Sequence, residues 1–294
     1  MNVLITGAAG LIGNAILQEC KSRNWNITAI DNNFKNQFID LDNDIIDIDT
    51  VSYIKDRPQC IYDIIFHMSA INGTDYFYDR PNTVIHNNVV SDLAILNFVE
   101  YPCRLVYASS SEVVSGNSVP TAEDTDITIE NIHNPRWSYR LGKILTENYL
   151  ANSRLDYVTI RYFNVFGDRS SKGHFFYDMV YKLAKGDHSL IGGFETRSFC
   201  YVKDAAKATV DLALLKYRGV VNVGNPEELM IVTAANMVAE QWGYGNIDWK
   251  LLPGRQGSTT RRAVDIAKLK SLCPDFNPMK FQDAIKEIYL TITK

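Results

Sequence analysis

Short apolar runs alternate with longer amphipathic stretches along the first two thirds of the chain. The apolar runs predict strands at 2–6, 26–30, 44–48, 62–67, 103–108, 156–161 and 219–223. The stretches between them predict helices near 11–22, 83–100, 137–152 and 203–216. This alternation is typical of a parallel sheet covered by helices on both faces, so we expect a doubly wound α/β fold.

After residue 165 the pattern is less regular. Helices are expected near 174–186, 231–242, 263–271 and 279–289. Because irregular loops follow one another there, we expect ligand specificity to depend on this part of the chain.

The first strand runs directly into a glycine-rich turn, Gly7-Ala8-Ala9-Gly10-Leu11-Ile12-Gly13. Its glycines are spaced three and three, whereas the common dinucleotide-binding fingerprint is spaced two and three. We expect a tight turn at Gly7, close approach of a pyrophosphate at Gly10 and close helix packing at Gly13. Taken alone, a glycine-rich turn is weak evidence.

A carboxylate ends the second strand. Asp31 is placed to accept hydrogen bonds from the hydroxyls of an adenosine ribose, and it would repel a 2′-phosphate. No Arg or Lys follows until Lys35, which favours NAD over NADP. The alternative is an ordinary turn residue, because Asp31-Asn32-Asn33 is also good turn chemistry.

Tyr139 and Lys143 are four residues apart in a predicted helix, which puts a phenol and an ammonium on one face. An ammonium close to a phenol favours the phenolate and so makes a candidate acid/base at neutral pH. A solvated helix face is the alternative for the pair alone.

Polar residues also follow two other strands. Ser109-Ser110-Ser111-Glu112 comes after one, and the small residues of Met68-Ser69-Ala70 come after another. Ligands of doubly wound sheets lie at the carboxyl ends of strands, so we expect hydroxyls and a carboxylate near the nicotinamide and a cofactor lying across the small residues. Simple turns are the alternative for both segments.

Composition excludes several classes of function. The chain has 294 residues, 46% hydrophobic and 22% charged, with a net charge of −4 and no basic cluster longer than Arg261-Arg262, so we expect no nucleic-acid partner. No apolar run approaches the length of a membrane span, and a first strand at residue 2 leaves no room for a cleaved leader. Five scattered cysteines predict reduced thiols and a cytoplasmic location, and five histidines without paired spacing predict no metal.

Seven segments in this order resemble the extended short-chain dehydrogenase/reductases, in particular the NAD-dependent nucleotide-sugar epimerases and dehydratases. They are Gly7 to Gly13, Asp31, and residues 66–70, 108–112, 139–143, 161–167 and 196–204. The resemblance implies a Rossmann sheet with a smaller C-terminal α/β domain. It places the NAD-binding domain at 1–165 and 196–224, and the domain that binds the nucleotide-diphosphate sugar at 166–195 and 225–294.

The resemblance also implies a mechanism in which NAD oxidises the sugar at C4 to a transient ketone and is regenerated within the same cycle. Tyr139 would remove the proton of the 4-hydroxyl, and Lys143 would hold the nicotinamide ribose and lower the pKa of Tyr139. Ser110 would share the hydrogen bond to that hydroxyl. If the alignment shifts by one residue, Ser111 takes this role.

Glu112 bears on the type of reaction. It is similar to the Glu that removes the C5 proton in sugar 4,6-dehydratases and to a Glu of UDP-glucuronate decarboxylases, and the alternative is a solvent-facing carboxylate. The chain departs from the family pattern at Val113-Val114-Ser115-Gly116, where an aromatic residue is usual, at Ser111, where dehydratases carry Asp, and at Leu141, where decarboxylases carry Glu. The prediction is therefore the epimerase/dehydratase group rather than one member.

The expected ligand contacts follow residue by residue. Asp47-Ile48 resembles the pair that meets adenine, and Asn88 resembles the helix residue near the nicotinamide ribose. The predicted cofactor residues are Gly7, Gly10, Leu11, Ile12, Gly13, Asp31, Asn32, Asp47, Ile48, Met68, Ser69, Ala70, Asn88, Ser109, Tyr139 and Lys143. The predicted substrate residues are Ser111, Asn164 and two arginines for the diphosphate, Arg197 and Arg255, each of which could instead lie on the surface.

Three alternatives to the epimerase/dehydratase interpretation stay open: a UDP-glucuronate decarboxylase-like enzyme, an NAD(P)H-dependent sugar or ketone reductase, and a noncatalytic NAD-sensing protein. The helices near 83–100 and 137–152 match the pair that forms the interface of family dimers, so we expect a homodimer. Leu93, Leu96, Leu145 and Leu150 permit such an interface but could equally belong to the core.

Overall fold

The computed structural model describes residues 1–34, 44–57, 60–114, 119–129 and 131–292. Lys35, Ser115 and Gly116, used in the sequence argument, lie outside these ranges. The strands are β1 (Asn2–Thr6), β2 (Asn26–Asp31), β3 (Ile45–Asp47), β4 (Ile64–His67), β5 (Arg104–Ser110), β6 (Asp156–Tyr162), β7 (Val165–Phe166), β8 (Ser189–Ile191), β9 (Thr196–Ser198), β10 (Cys200–Tyr201), β11 (Gly219–Val223), β12 (Glu228–Met230), β13 (Lys250–Leu252) and β14 (Arg261–Arg262).

Helices fill most of the segments between the strands. They are α1 (Leu11–Ser22), α2 (Thr50–Lys55), α3 (Thr74–Asp79), α4 (Pro81–Phe98), α5 (Trp137–Asn152), α6 (Phe175–Ala184), α7 (Val202–Ala213), α8 (Ile231–Gln241), α9 (Ala267–Leu272) and α10 (Phe281–Ile292). A 3-10 helix, Ser111–Val114, directly follows β5. The short helices α2 and α3 were not expected, because six residues are too few to show a helical period.

The predicted strands pair into one seven-stranded sheet in the order β11-β6-β5-β4-β1-β2-β3, and every pair in it is parallel. Parallel sheets are covered on both faces, which explains why the strands read as continuous apolar runs. Val3, Leu4 and Ile5 of β1, for example, are fully buried. The Rossmann-like doubly wound fold expected from the sequence is confirmed.

One strand of this sheet is longer than expected. β5 begins at Arg104 and continues through Ser110, because Ser109 and Ser110 stay in register with Arg161 and Tyr162 of β6. The serines therefore belong to the end of a strand rather than to a turn. The neighbouring 3-10 helix then carries Ser111 and Glu112 back toward the same edge of the sheet.

A second apolar core lies among the elements after residue 165. Its centre is Phe166, whose ring contacts those of Phe176, Phe199, Tyr201 and Phe281. Strands of two or three residues hold this region together, in the orders β12-β9-β14, β13-β8 and β10-β7.

The segment around residues 261–269 differs from expectation. The helix expected near 263–271 begins at Ala267, because Arg261–Arg262 form β14 and Val264 bridges to Thr121. Leu269 packs against the first core rather than the second. The division into domains at the expected boundaries stays a prediction.

Two of the expected interface leucines are core residues. Leu96 and Leu150 are buried, whereas Leu93 and Leu145 are exposed on α4 and α5. Within the described ranges, none of the helices has the length and apolar character needed to cross a membrane. All five cysteines are free thiols.

Candidate active site

A cavity of about 710 Å³ opens at the carboxyl ends of β1, β4, β5 and β6. Most of the residues predicted to meet cofactor or substrate line it. They are Gly7, Gly10, Leu11, Ile12, Gly13, Asp31, Asn32, Ile48, Met68, Ser69, Ala70, Asn88, Ser109, Ser110, Ser111, Glu112, Tyr139, Asn164, Arg197 and Arg255. The two predicted residues that do not line it are Asp47 and Lys143.

The glycine-rich turn is built as the sequence suggested, but its glycines serve different purposes. Gly7 has φ +68°, and a Cβ there would lie 2.7 Å from the backbone nitrogen of Ser69. A Cβ at Gly13 would lie 2.0 Å from the carbonyl oxygen of Gly7, so α1 can approach the turn only with glycine at this position. Gly10 has an ordinary φ of −68° and a nearest contact of 3.2 Å. The fold therefore restricts a side chain at Gly10 less than one at Gly7 or Gly13.

The N-terminus of α1 faces the same turn and has no side-chain cap. Helix N-termini present backbone N–H groups and a partial positive charge, which suit a pyrophosphate. This geometry fits the phosphates of a dinucleotide.

Asp31 fixes the tip of β2 beside the turn. Its carboxylate accepts hydrogen bonds from the backbone of Ala9 at 3.0 Å and of Asn33 at 2.7 Å. A carboxylate in this place, at the tip of β2 on the cavity wall, fits a ribose hydroxyl. Asp47 is exposed outside the cavity, because β3 ends there, whereas Ile48 continues into the cavity wall.

Asn88 is buried on α4 and holds the loop that follows β4. Its Oδ1 accepts a hydrogen bond from the nitrogen of Ile71 at 2.7 Å, and its Nδ2 donates to the oxygen of the same residue at 3.1 Å. Its side chain thus shapes the cavity wall beside Met68, Ser69 and Ala70.

Tyr139 is buried on the first turn of α5, and its ring stacks on that of Phe77 with 4.9 Å between centroids. Ser110 Oγ accepts a hydrogen bond from the backbone of Glu112 at 3.2 Å, which leaves its own proton to donate to the phenol of Tyr139. Burial nevertheless raises the pKa of Tyr139 above its ordinary value. The net shift is upward because burial outweighs the effect of Ser110, and a lowering of this pKa by Lys143 stays a prediction.

Lys143 lies one turn further along α5, completely buried. Its Nζ is 5.9 Å from the ring centre of Tyr139, 4.5 Å from that of Tyr107 and 3.9 Å from Oδ2 of Asp92. Among the described residues this nitrogen has no hydrogen-bond partner. Burial lowers the pKa of Lys143, and the nearby carboxylate of Asp92 opposes that effect. An ammonium with unused donors beside the cavity fits the ribose hydroxyls of NAD.

Glu112 is buried between two guanidinium groups. Arg136 donates to both of its oxygens, at 2.9 and 2.5 Å, and Arg262 lies 2.8 Å from one of them. Burial alone would raise the pKa of Glu112, but the charges of Arg262 and Arg136 together hold it well below its usual range. A solvent-facing role is excluded, and a carboxylate with such low proton affinity is a poor general base.

The predicted substrate residues lie at the same end of the cavity. Arg197 donates to Glu195 at 2.5 Å and to Ser258 at 2.9 Å, while Arg255 contacts Asp75 at 3.2 Å. Asn164 has φ +40° and donates to the backbone of Ser198 at 2.9 Å. Arg197 is buried, so it is not a surface arginine.

A buried ion pair underlies the site. Glu147 of α5 binds Arg161 of β6 at 2.7 Å, and Ser109 of β5 donates to the same carboxylate at 2.5 Å. The hydroxyl of Ser109, expected to meet the cofactor, is therefore engaged by Glu147. The pair anchors the helix that carries Tyr139 to the central sheet.

Sequence reasoning missed Arg136, Arg262, Phe77 and Asp92. Arg262 was noted only as part of a short basic cluster, and Arg136 was not singled out. Asp92 could have been found as a carboxylate on an otherwise apolar stretch of α4, one turn after Asn88.

Known proteins resemble this chain over most of its length. The model of the NAD dependent epimerase/dehydratase family matches residues 3–224. A UDP-N-acetyl-alpha-D-glucosaminuronate decarboxylase of Bacillus cytotoxicus is 27% identical and aligns over 97% of this chain and 95% of its own length. A putative UDP-glucose 4-epimerase of Methanocaldococcus jannaschii is 28% identical over 92% of both chains.

Among solved structures, a UDP-N-acetylglucosamine 4-epimerase from Methanobrevibacter ruminantium, in complex with UDP-N-acetylmuramic acid, superposes with a TM-score of 0.81. It is 26% identical, and the alignment covers 99% of this chain and 98% of that one. Since the family model spans the glycine-rich turn, the serine-bearing strand and the Tyr139–Lys143 helix, the protein belongs to the NAD-dependent epimerase/dehydratase family.

Proposed function

We propose that the protein is an enzyme that oxidises a nucleotide-diphosphate sugar at C4 and completes an epimerisation or dehydration through the 4-keto sugar, with NAD regenerated in each cycle. The observation that carries the proposal is that Ser110 and Tyr139 line the same cavity, with the ammonium of the buried Lys143 5.9 Å from the ring centre of Tyr139. A noncatalytic NAD sensor has no need of this arrangement.

NAD fits the cofactor end of the cavity. The uncapped N-terminus of α1 would hold the pyrophosphate, Asp31 the adenosine ribose and Lys143 the nicotinamide ribose. When bound, NAD supplies the hydride acceptor for C4 of the sugar. Asp31 opposes a 2′-phosphate by charge, which argues against an NADPH-dependent reductase.

Tyr139 would take the proton of the 4-hydroxyl, and Ser110 would donate a hydrogen bond to the developing phenolate. Because burial raises the pKa of Tyr139, proton acceptance needs positive charge nearby. Lys143 supplies an ammonium from the same helix. At the other end, Arg197 and Arg255 would meet the diphosphate, for which the guanidinium group is well suited.

The state of Glu112 favours outcomes that require no strong base at C5. Epimerisation at C4 needs only rotation of the ketone, whereas dehydration needs removal of the C5 proton. Decarboxylation is the second candidate: a 4-keto uronate is a β-keto acid, which loses carbon dioxide without a base at C5. A relative named as a decarboxylase and the arginine pair around Glu112 both favour keeping this candidate.

The test is incubation of the purified protein with a panel of UDP-, GDP- and dTDP-sugars, including a uronate, with products analysed by mass. Loss of water marks dehydration, loss of carbon dioxide marks decarboxylation, and an unchanged mass with altered mobility marks epimerisation. Co-purifying NAD(H), detected by absorbance, would support internal recycling. Absence of turnover on every sugar, with NAD bound, would contradict the proposal.

The cofactor site has its own test. Gly10→Val should abolish NAD binding measured by calorimetry while the protein stays folded, because φ at Gly10 is ordinary and its Cβ needs a shift of only a few tenths of an ångström from the carbonyl oxygen of Gly7 at 3.2 Å. Asp31→Ala should narrow the preference for NAD over NADP. An unchanged NAD affinity in Gly10→Val would show that the phosphates bind elsewhere. An unchanged preference in Asp31→Ala would show the same for the adenosine ribose.

We also propose that the protein is a cytoplasmic homodimer. The exposed Leu93 and Leu145 on α4 and α5 support an interface through these helices, and five free thiols support a reducing compartment. Sedimentation of the wild type and of Leu145→Glu would test the interface. A monomeric wild type would contradict it.

A further inference from the structure

A buried carboxylate behind the proposed active site has no part in the mechanism above. Asp92 lies on α4, is 1% exposed and does not line the cavity. Its Oδ1 faces Nε2 of His67 at 2.9 Å, and its Oδ2 accepts hydrogen bonds from Tyr107 at 2.6 Å and from Thr146 at 2.9 Å. An imidazole and two hydroxyls, from three different elements, therefore fix this carboxylate in place.

The ammonium of Lys143 lies 3.9 Å from Oδ2 of Asp92, and both side chains are at most 2% exposed. Burying an ammonium costs its hydration, so the group stays charged only if an opposite charge is near. Glu147 is the other carboxylate close to Lys143, but it is already bound by Arg161. Asp92 is therefore the main counter-charge of this lysine.

The distance between the two charges matters as much as their signs. At 3.9 Å the pair attracts without a hydrogen bond, since such bonds to charged groups are shorter. The donors of Nζ remain available to a ligand, as its lack of a hydrogen-bond partner in the described part of the chain also indicates.

We propose that Asp92 is a positioning residue, which keeps Lys143 protonated and holds its ammonium beside Tyr139 while leaving its hydrogen bonds to the ligand. The contact of Lys143 with NAD rests on the proposed function. The charge pairing does not.

Other groups that can titrate or carry charge face this pair from each neighbouring element. They are His67 of β4, Tyr107 of β5, Tyr139 and Glu147 of α5 and, through Glu147, Arg161 of β6. Of the effects that lower the pKa of Asp92, the charge of Lys143 is the largest, and the hydrogen bond and charge of His67 follow it.

The first test is the pH dependence of NAD affinity, measured by calorimetry on the wild type and on Asp92→Asn. In the wild type, affinity should persist into the alkaline range, because Asp92 stabilises the charged lysine. In Asp92→Asn, affinity should fall at a pH about one unit or more lower, since Lys143 loses its proton earlier. An alkaline limb at the same pH in both proteins would overturn the proposal.

Two further variants separate charge from structure. Tyr107→Phe removes one hydrogen bond to the same carboxylate and keeps all charges, so its alkaline limb should match that of the wild type. Lys143→Met should bind NAD weakly and show no alkaline limb, with or without Asp92→Asn. If the pH at which NAD affinity falls were lowered as much in Tyr107→Phe as in Asp92→Asn, packing rather than charge would determine that pH.

If Asp92→Asn does not fold, Lys143→Met still tests the pairing without any ligand. Asp92 has a lowered pKa, so its charge stabilises the fold at neutral pH and this contribution is lost in acid. Removing Lys143 weakens that contribution, so the stability difference between wild type and Lys143→Met should hold from pH 7 down to about pH 4 and shrink as the pH falls further. A pH-independent difference would overturn the proposal, whereas failure to turn over any sugar would count only against the proposed function.

Discussion

Asp92 and Glu112 are two buried carboxylates close to Tyr139, and their charges are balanced in different ways. Glu112 is bound directly by the guanidinium groups of Arg136 and Arg262. Asp92 is held mainly by hydroxyls and an imidazole, and its cation, Lys143, stays beyond hydrogen-bond distance. Both carboxylates act to raise the pKa of Tyr139.

The difference shows that a buried carboxylate can either use up the hydrogen bonds of a neighbouring cation or keep that cation charged with its hydrogen bonds free. Around Glu112, acid and guanidinium groups satisfy one another, so the cluster is rigid and its carboxylate has little affinity for a proton. Around Asp92, the carboxylate is satisfied by other donors, so the ammonium keeps its charge and its hydrogen-bonding capacity. The arrangement around Glu112 suits a structural role in the site, and the one around Asp92 suits a lysine that must still bind a ligand.

The largest effect is expected from removing the phenol that both carboxylates influence. Tyr139→Phe should lower turnover by about 10²–10⁴-fold, because the proton acceptor is lost while the ring still stacks on Phe77. NAD should stay bound, and the transient NADH formed on addition of substrate should disappear in stopped-flow absorbance. Tyr107→Phe is the matched control and should retain the transient. Persistence of NADH formation in Tyr139→Phe would rule out this mechanism.

Glu112→Gln should strongly destabilise the fold, by about 3–5 kcal/mol at pH 7, because it leaves the buried Arg262 and the partly buried Arg136 without their shared carboxylate. The lowered pKa of Glu112 means that its contribution is present at neutral pH and lost in acid, so the deficit should shrink as pH falls. Denaturant unfolding at several pH values measures this. Glu19→Gln, at a more exposed pair with Arg23, should cost no more than about 1 kcal/mol.

The same Glu112 variant tests the role expected from the sequence. If Glu112 were the C5 base, Glu112→Gln would trap a 4-keto sugar with NADH on the enzyme and would lose solvent deuterium incorporation at C5. We expect oxidation at C4 and proton exchange at C5 to change together instead, as the arginine cluster is disturbed. Trapping of the ketone would restore the general-base assignment.

Asp92→Asn should destabilise less than Glu112→Gln, by about 1–3 kcal/mol, since an amide can keep some of the hydrogen bonds that hold Asp92. Unfolding of the two variants side by side tests this order. An equal or larger loss for Asp92→Asn would remove the contrast between the two carboxylates.

The smallest effect is expected at the serine beside Tyr139. Ser110→Ala should lower turnover about tenfold, because one hydrogen bond to the phenol is lost. Ser111→Ala is the matched control and should have a weaker effect on the oxidation step. The reverse order would show that Ser111 is the catalytic hydroxyl.

The regular part of the molecule was predictable because its elements carry a local pattern. The strands of the central sheet are continuous apolar runs, and the turn from Gly7 to Gly13 follows the first of them at once. β9 and β14 were not predictable, because two or three residues cannot show a period and their pairing depends on distant partners.

The same reason explains what was missed in the site. Tyr139 and Lys143 share one helix, so their four-residue spacing predicts that they lie close together. Arg136 and Arg262 are far apart in sequence and meet Glu112 only in the folded chain. The rise in the pKa of Tyr139 by burial was not foreseen for a related reason. Helical spacing shows which charges are near, but not how much water the fold removes.

The ion pair between Glu147 and Arg161, with Ser109, joins α5 to two central strands. It makes the helix that carries Tyr139 and Lys143 a stationary part of the molecule. The elements after residue 165 hold Arg197 and Arg255 on short strands and loops, so we expect closure around a substrate there rather than in α5. On this view, substrate binds and product leaves when the region around Arg197 and Arg255 moves, while Tyr139 and Lys143 stay in place. Hydrogen exchange should then find α5 among the slowest segments of the protein.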